Sequence, residues 1–204
     1  MNANASRSSL SIASAVAAVL MSVSLSAQAQ VPQPESRQLG VYVGGTAGFG
    51  LNNWECDAFC DRAVFSGKLF AGKRLTPGLA AEVNYMMFGK TSRSNTGPVA
   101  TTMGYTTEDR SVRAWTLGIN WEVELIHDVV NQIRLGWAAV EQTNDRVLLS
   151  GSQVRSKEHF GAPYIGAGLA YRLTRDVKLM SNADFLLKGR RGQYLLSVGA
   201  SADF

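Results

Sequence analysis

Four cations, Lys68, Arg134, Arg172 and Lys178, and four carboxylates, Glu82, Glu122, Asp184 and Asp203, lie in segments where every second residue is apolar. In that alternating register all eight fall on the face opposite the apolar one. A balanced set of charges packed into a poorly hydrated interior has two chemistries open to it: it pairs into a structural plug, or it lines a gated path for ions. The equal numbers favour the plug. A second set, Ser150, Ser152 and Ser156 followed by Glu158-His159, holds the residue types of nucleophilic acyl transfer. Serines in a polar segment and a single histidine are common, and Ser181-Asn182, the other suggestive pair, has no neighbouring histidine, so catalysis is not expected.

Cys56 and Cys60 are the only cysteines. In an oxidising compartment they are expected to close a small disulfide loop. A metal would need more ligands, and the two histidines, His127 and His159, lie far from the cysteines in sequence, so neither a metal nor a cofactor is expected.

Export is legible at the start of the chain. Arg7 precedes a mostly apolar run from Leu10 to Leu25, and Ala27-Gln28-Ala29 fits a small-x-small cleavage site, so residues 1–29 read as a signal peptide and 30–38 as a short N-terminal segment. The formal net charge of +4 falls by one on their removal, since Arg7 is the one ionisable side chain there. The remaining charge is dispersed, so nucleic acid is not an expected partner. No later segment reaches the roughly 18 apolar residues of a spanning helix, so entry into a membrane would have to be by strands.

Eight segments supply them: Leu39 to Gly50, Ala63 to Lys73, Leu79 to Gly89, Ser111 to Glu122, Val130 to Gln142, Phe160 to Arg172, Val177 to Leu187 and Gln193 to Phe204. Each alternates in polarity over about ten residues, as barrel strands do. The links Arg74 to Gly78, Val123 to Val129 and Leu173 to Asp176 are short, whereas Leu51 to Arg62, Lys90 to Arg110 and Thr143 to His159 are long and polar. Short turns at one end and long loops at the other match a barrel of the outer membrane. The apolar face, including Val41, Val43, Leu69, Trp115, Leu117, Trp121, Leu135, Trp137 and Leu169, carries no charge in this register. A lipocalin-like barrel with that face inward is the alternative, but it would need many more Lys and Glu on its outer surface. The expected fold is therefore all-β, an eight-stranded antiparallel up-and-down transmembrane β-barrel over residues 39–204.

The chain resembles the small OmpA-like outer-membrane β-barrels of Gram-negative bacteria. The likeness rests on Gly40-Val41-Tyr42-Val43-Gly44-Gly45, the first loop with its Asp and Cys, the stretch Lys68 to Pro77, Ala81-Glu82-Val83-Asn84-Tyr85 and Phe88-Gly89-Lys90. It implies a monomeric, non-enzymatic protein of structural or surface-exposed role. A narrow pore, an adhesin-like binder acting through its loops, and a lipid-modifying enzyme stand as alternatives. The expected partners are outer-membrane lipids and lipopolysaccharide, periplasmic chaperones and the barrel-assembly machinery. That machinery's recognition signal is resembled by Tyr194, Leu196, Val198 and Phe204, with Ala202 a departure from the usual larger residue. With nothing after Phe204, the peptidoglycan binding of two-domain relatives is not expected. Arg93, Arg110, Arg146, Arg155, Lys157, Arg190 and Arg191 are candidates for lipid phosphates.

Overall fold

The structure, a computed structural model, describes residues 40–52, 59–61, 63–188 and 191–204, with backbone alone at 52, 59, 60, 188 and 191. The strands are β1 (Val41–Asn52), β2 (Phe59–Cys60), β3 (Ala63–Thr76), β4 (Leu79–Ser94), β5 (Tyr105–Ile126), β6 (Val129–Leu148), β7 (Gln153–Arg172), β8 (Val177–Lys188) and β9 (Arg191–Asp203). One helix, α1 (Gly97–Met103), stands between β4 and β5.

Each long strand pairs antiparallel with the next, and β9 returns to β1 through pairs such as Phe49 with Leu196 and Gly45 with Ala200. The Phe204 N–H adds a bond of 2.8 Å to the Val41 carbonyl. The result is a closed, eight-stranded up-and-down barrel. Two-residue β2 stands outside that count and adds to the far end of β4, Phe59 opposite Ser94.

The strands run well past the expected bounds. Lys90 to Arg110 and Thr143 to His159 were expected as loops, yet β4 continues to Ser94, β5 starts at Tyr105, and β6 and β7 form one hairpin turning between Leu148 and Gln153. Polar residues occupy both faces of these extensions, so alternation of hydropathy vanishes while backbone pairing persists. A register shift between Phe88 and Thr91 marks where β4 passes from one regime to the other. The extensions form a four-stranded wing with α1 at its tip. Pro98 lies in the first turn of α1, and Gly104, at φ 77°, donates to the Ala100 carbonyl at 2.9 Å to end it.

Narrow closure depends on close approaches at glycines, two of which show the kinds of contact involved. The Tyr42 ring covers Gly72, where a Cβ would stand 2.3 Å from the ring. Gly118 faces Gly136 across β5 and β6, and a Cβ on either would come within 2.3 Å of the partner strand's backbone carbonyl oxygen. Larger residues at these points would force the strands apart.

Outside, Val43, Phe49, Leu69, Trp115, Leu117, Trp121, Leu135, Trp137, Leu169 and Val198 all project from the barrel, with Trp115 58% and Trp137 60% exposed. Inside sit Lys68, Glu82, Asn84, Asn120, Gln132, Arg134, Asn182 and Asp184, all buried. Polar side chains inside and an apolar belt outside invert the arrangement of a soluble barrel and suit one set in lipid. No helix among the described residues is long and apolar enough to cross a membrane.

Candidate functional site

The lumen is layered. At the short-turn end Arg74 extends two N–H groups, one to Glu122 at 2.7 Å and one to Asp203 at 2.8 Å. Lys178 stands 3.5 Å from Glu122 and 3.4 Å from Asp203, and Gln132 donates to Glu122 at 3.0 Å. Above this, Arg134 pairs with Glu82 at 3.1 Å and donates to Asn182 at 2.9 Å. The other oxygen of Glu82 accepts from Tyr42 at 2.7 Å and Asn120 at 3.2 Å. Higher still, Asp184 accepts from Lys68 at 2.7 Å and from Tyr164 at 2.6 Å.

Seven of the eight sequence-selected charges thus come together inside. Arg172 does not. Its side chain is 40% exposed and reaches Glu124 at 3.3 Å on the short-turn rim, because it lies at the last residue of β7, where the wall ends. Arg74, assigned to a turn from sequence, takes the lumenal place. Tyr42 and Tyr164 were also missed; the signal available was parity, since each alternates with outward Val41 and Val43 or Ile165.

An apolar layer packs inside the barrel above Asp184. Met86, Phe88, Val112, Ala114, Ala138, Val140, Ala162, Leu186 and Leu195 come from six strands and pack together with Tyr164. Ions crossing the barrel would have to shed water against these side chains as well as break the buried pairs beneath them.

The wing carries its own charge cluster. Glu108, fully buried on its inner side, accepts from Arg93 Nε at 2.7 Å and from Arg146 at 3.0 and 2.9 Å, with Arg110 at 3.9 Å. The guanidinium groups of Arg93 and Arg146 both lie near the Tyr105 ring, 5.4 and 5.2 Å from its centre. Burial alone would push the Glu108 carboxyl up; the hydrogen bonds and charges of Arg93 and Arg146 outweigh it and hold the group below the usual carboxylate range. On the outer side of the wing Lys90 pairs with Asp109 at 2.8 Å, Arg155 with Asp145 at 2.6 Å and Lys157 with Glu141 at 3.8 Å. Arg93, Arg110 and Arg146, candidates for lipid phosphates from sequence, therefore face inward onto Glu108. Arg190 and the Arg191 side chain lie outside the described residues.

The Ser/His set disperses along one hairpin. Ser150 bonds to Ser152 at 3.2 Å in the turn, Ser156 stands opposite Asn144 and His159 opposite Glu141. Seven residues of strand put Ser152 about 23 Å from His159. Asn182 turns inward to Arg134 while Ser181 faces out. The disulfide expected between Cys56 and Cys60 and the expected signal segment 1–29 lie outside the described residues, as does the segment 30–38. Among the described residues no cluster of His, Cys, Asp and Glu could hold a metal.

Tyr194, Leu196 and Val198 project outward along β9, Phe204 lies at its end, and Tyr194 meets Phe185 edge to face at 5.3 Å.

Residues 15–190 match the family described as outer membrane protein beta-barrel domain. The chain belongs to that family. It is a protein of the outer membrane. Neisserial surface protein A is similar in structure, with 17% identity and a TM-score of 0.59 over 81% of this chain and 97% of that one. A major outer membrane protein of Thermus thermophilus gives 14% and 0.56 over 81% and 98%. Ail, the attachment invasion locus protein of Yersinia pestis, gives 11% and 0.52 over 81% and 99%. At these identities the likeness is one of fold. No curated protein matches the chain.

Proposed function

We propose that this outer-membrane barrel is a sealed, non-catalytic scaffold that holds its four-stranded wing at the cell surface. The apolar layer above Lys68 and Asp184 carries this reading, since it supports a closed lumen and leaves the wing as the part free to meet other molecules. The dispersal of Ser150, Ser152, Ser156 and His159 along the hairpin argues against acyl transfer there. Lipids and lipopolysaccharide are the partners of the apolar belt. Periplasmic chaperones and the barrel-assembly machinery act on the way to the membrane, the latter reading Tyr194, Leu196, Val198 and Phe204. Residues 1–29 direct export, and Cys56 and Cys60 close a disulfide in the first loop.

The test is topology in intact cells. An epitope inserted between Ser150 and Gly151, in the tight turn of the wing, should bind antibody without permeabilisation. Labelling only after the outer membrane is opened would overturn the surface role.

A further inference from the structure

The outward wall of the barrel is uneven. On β5 and β6 it is built of large side chains such as Trp115, Leu117, Trp121, Leu135 and Trp137, whereas Ala47, Ala167, Ser181, Ala183 and Ala200 face outward on β1, β7, β8 and β9. There the surface sinks into a furrow of about 760 Å³, floored by Ala47, Ala167 and Ala183 and walled by Phe49 and Leu196. A second furrow of about 680 Å³ runs beside it, bounded on its far side by Tyr171, Leu179 and Ala200. Leu169, Ser181 and Val198, cross-strand neighbours in one row, form the low ridge they share.

The furrows follow the rows of paired residues and so climb the wall obliquely. The row Asn131, Leu169, Ser181, Val198, Ala47 starts two residues from the short-turn end of β6 and crosses from β6 to β1. Its four strand spacings of ~4.8 Å span about 19 Å, which at a strand tilt of ~40° is a rise of about 12 Å. Phe49 and Phe65 carry the first furrow one pair further. The climb is close to the ~15 Å depth of one leaflet of a ~30 Å hydrocarbon core.

The lining selects the occupant. No charged side chain borders either furrow among the described residues. Apart from tyrosines, Asn131 and Ser181 are the polar side chains facing outward between the two rims among the described residues, and both lie here. Neither finds a hydrogen-bond partner among those residues. An amide facing hydrocarbon is costly unless something there accepts from it. A second copy of the chain fits poorly, because a two-fold contact would set furrow against furrow and leave voids. Two parallel hydrocarbon chains joined near an acceptor at the Asn131 end fill both furrows, and the belt around them already meets lipid. Resting on the orientation argued above, with the wing outward and the short turns toward the periplasm, we propose that this face binds one glycerophospholipid of the periplasmic leaflet, an acyl chain in each furrow and an ester carbonyl accepting from Asn131.

The test titrates the full barrel, delipidated in a mild non-ionic detergent, with dioleoylphosphatidylethanolamine and reads bound lipid by native mass spectrometry. One phospholipid per barrel should saturate the site, and lipid A should not displace it. The double variant Ala167→Leu/Ala183→Leu fills the first furrow with side chains suited to lipid and should weaken binding about tenfold or more. Ala139→Leu, outward on β6 away from the furrows, should leave it unchanged. Asn131→Leu keeps the surface apolar and removes the donor; binding should weaken about fivefold, the value of one hydrogen bond, while the urea midpoint does not fall. The heat-dependent shift in gel mobility reports that each variant is folded.

No saturable uptake of the phospholipid, or uptake unchanged by Ala167→Leu/Ala183→Leu, would overturn the site. Displacement by lipid A would overturn the choice of leaflet. A dimer of the wild-type barrel that is lost in Ala167→Leu/Ala183→Leu would make a second copy the occupant. A surface-labelled epitope with no phospholipid binding removes this proposal alone, whereas an epitope hidden in intact cells removes the orientation beneath it.

Discussion

Asp184→Asn is the sharpest perturbation of the lumen. The Lys68 ammonium and the Asp184 carboxylate meet at 2.7 Å with side chains 0% and 1% exposed, inside the barrel and below the apolar layer. Asparagine keeps the volume and an oxygen to accept from Tyr164, so the loss falls on Lys68, left buried without its counter-charge. Removing one partner of a buried pair costs about 3–5 kcal/mol. With a urea dependence of about 2 kcal/mol per molar, the unfolding midpoint should fall by roughly 2 M. Urea titration in lipid vesicles, followed by the fluorescence of outward Trp115, Trp121 and Trp137, measures it. The double variant Lys68→Met/Asp184→Leu removes both charges and should recover most of the loss, giving a large coupling energy in a double-mutant cycle. A cost below about 1 kcal/mol for Asp184→Asn, the value of a hydrated surface pair, would refute the reasoning and point to a water-filled lumen.

Other perturbations separate wing, wall and assembly. Glu108→Gln should raise amide exchange across residues 91–94, 105–110 and 143–148 while the barrel keeps its gel shift, because Arg93 and Arg146 lose their shared acceptor. Since the folded protein holds the Glu108 carboxyl below the usual carboxylate range, its contribution is complete above that range and lost as pH falls through the lowered value; wild-type wing protection should therefore hold at neutral pH and decline only as the pH falls below the usual carboxylate range. Gly72→Ala places a Cβ against the Tyr42 ring and Gly118→Ala one against the Leu135 carbonyl; both should destabilise, the second more, since a backbone atom cannot turn aside, and urea midpoints rank them. Deleting Phe204 should lower the amount recovered in the outer membrane more than the amount secreted, as fractionation would show; equal insertion would remove its role as an assembly signal.

The membrane-embedded half of the fold was legible because lipid outside and a polar lumen inside force strict alternation on every strand. Val41, Tyr42 and Val43 or Trp115, Thr116 and Leu117 leave little choice of register. The wing was not legible for the same reason. Ser92, Arg93 and Ser94, or Asn144, Asp145 and Arg146, have water or charged partners on both sides, so nothing in their hydropathy separates a strand from a loop. What holds them is specific pairing, such as Arg93 and Arg146 on Glu108, which depends on residues distant in sequence. Within the lumen, parity located Lys68, Glu82, Arg134 and Asp184, but it could not say where the wall ends. That boundary put Arg172 on the rim and let Arg74 reach back inside.

Planar-bilayer recording on the purified wild-type barrel bears most directly on the sealed lumen. The buried Lys68–Asp184 and Arg134–Glu82 pairs and the apolar layer above them predict a silent bilayer. Stable single-channel steps that change in size with Lys68→Ala or Glu82→Ala would contradict it.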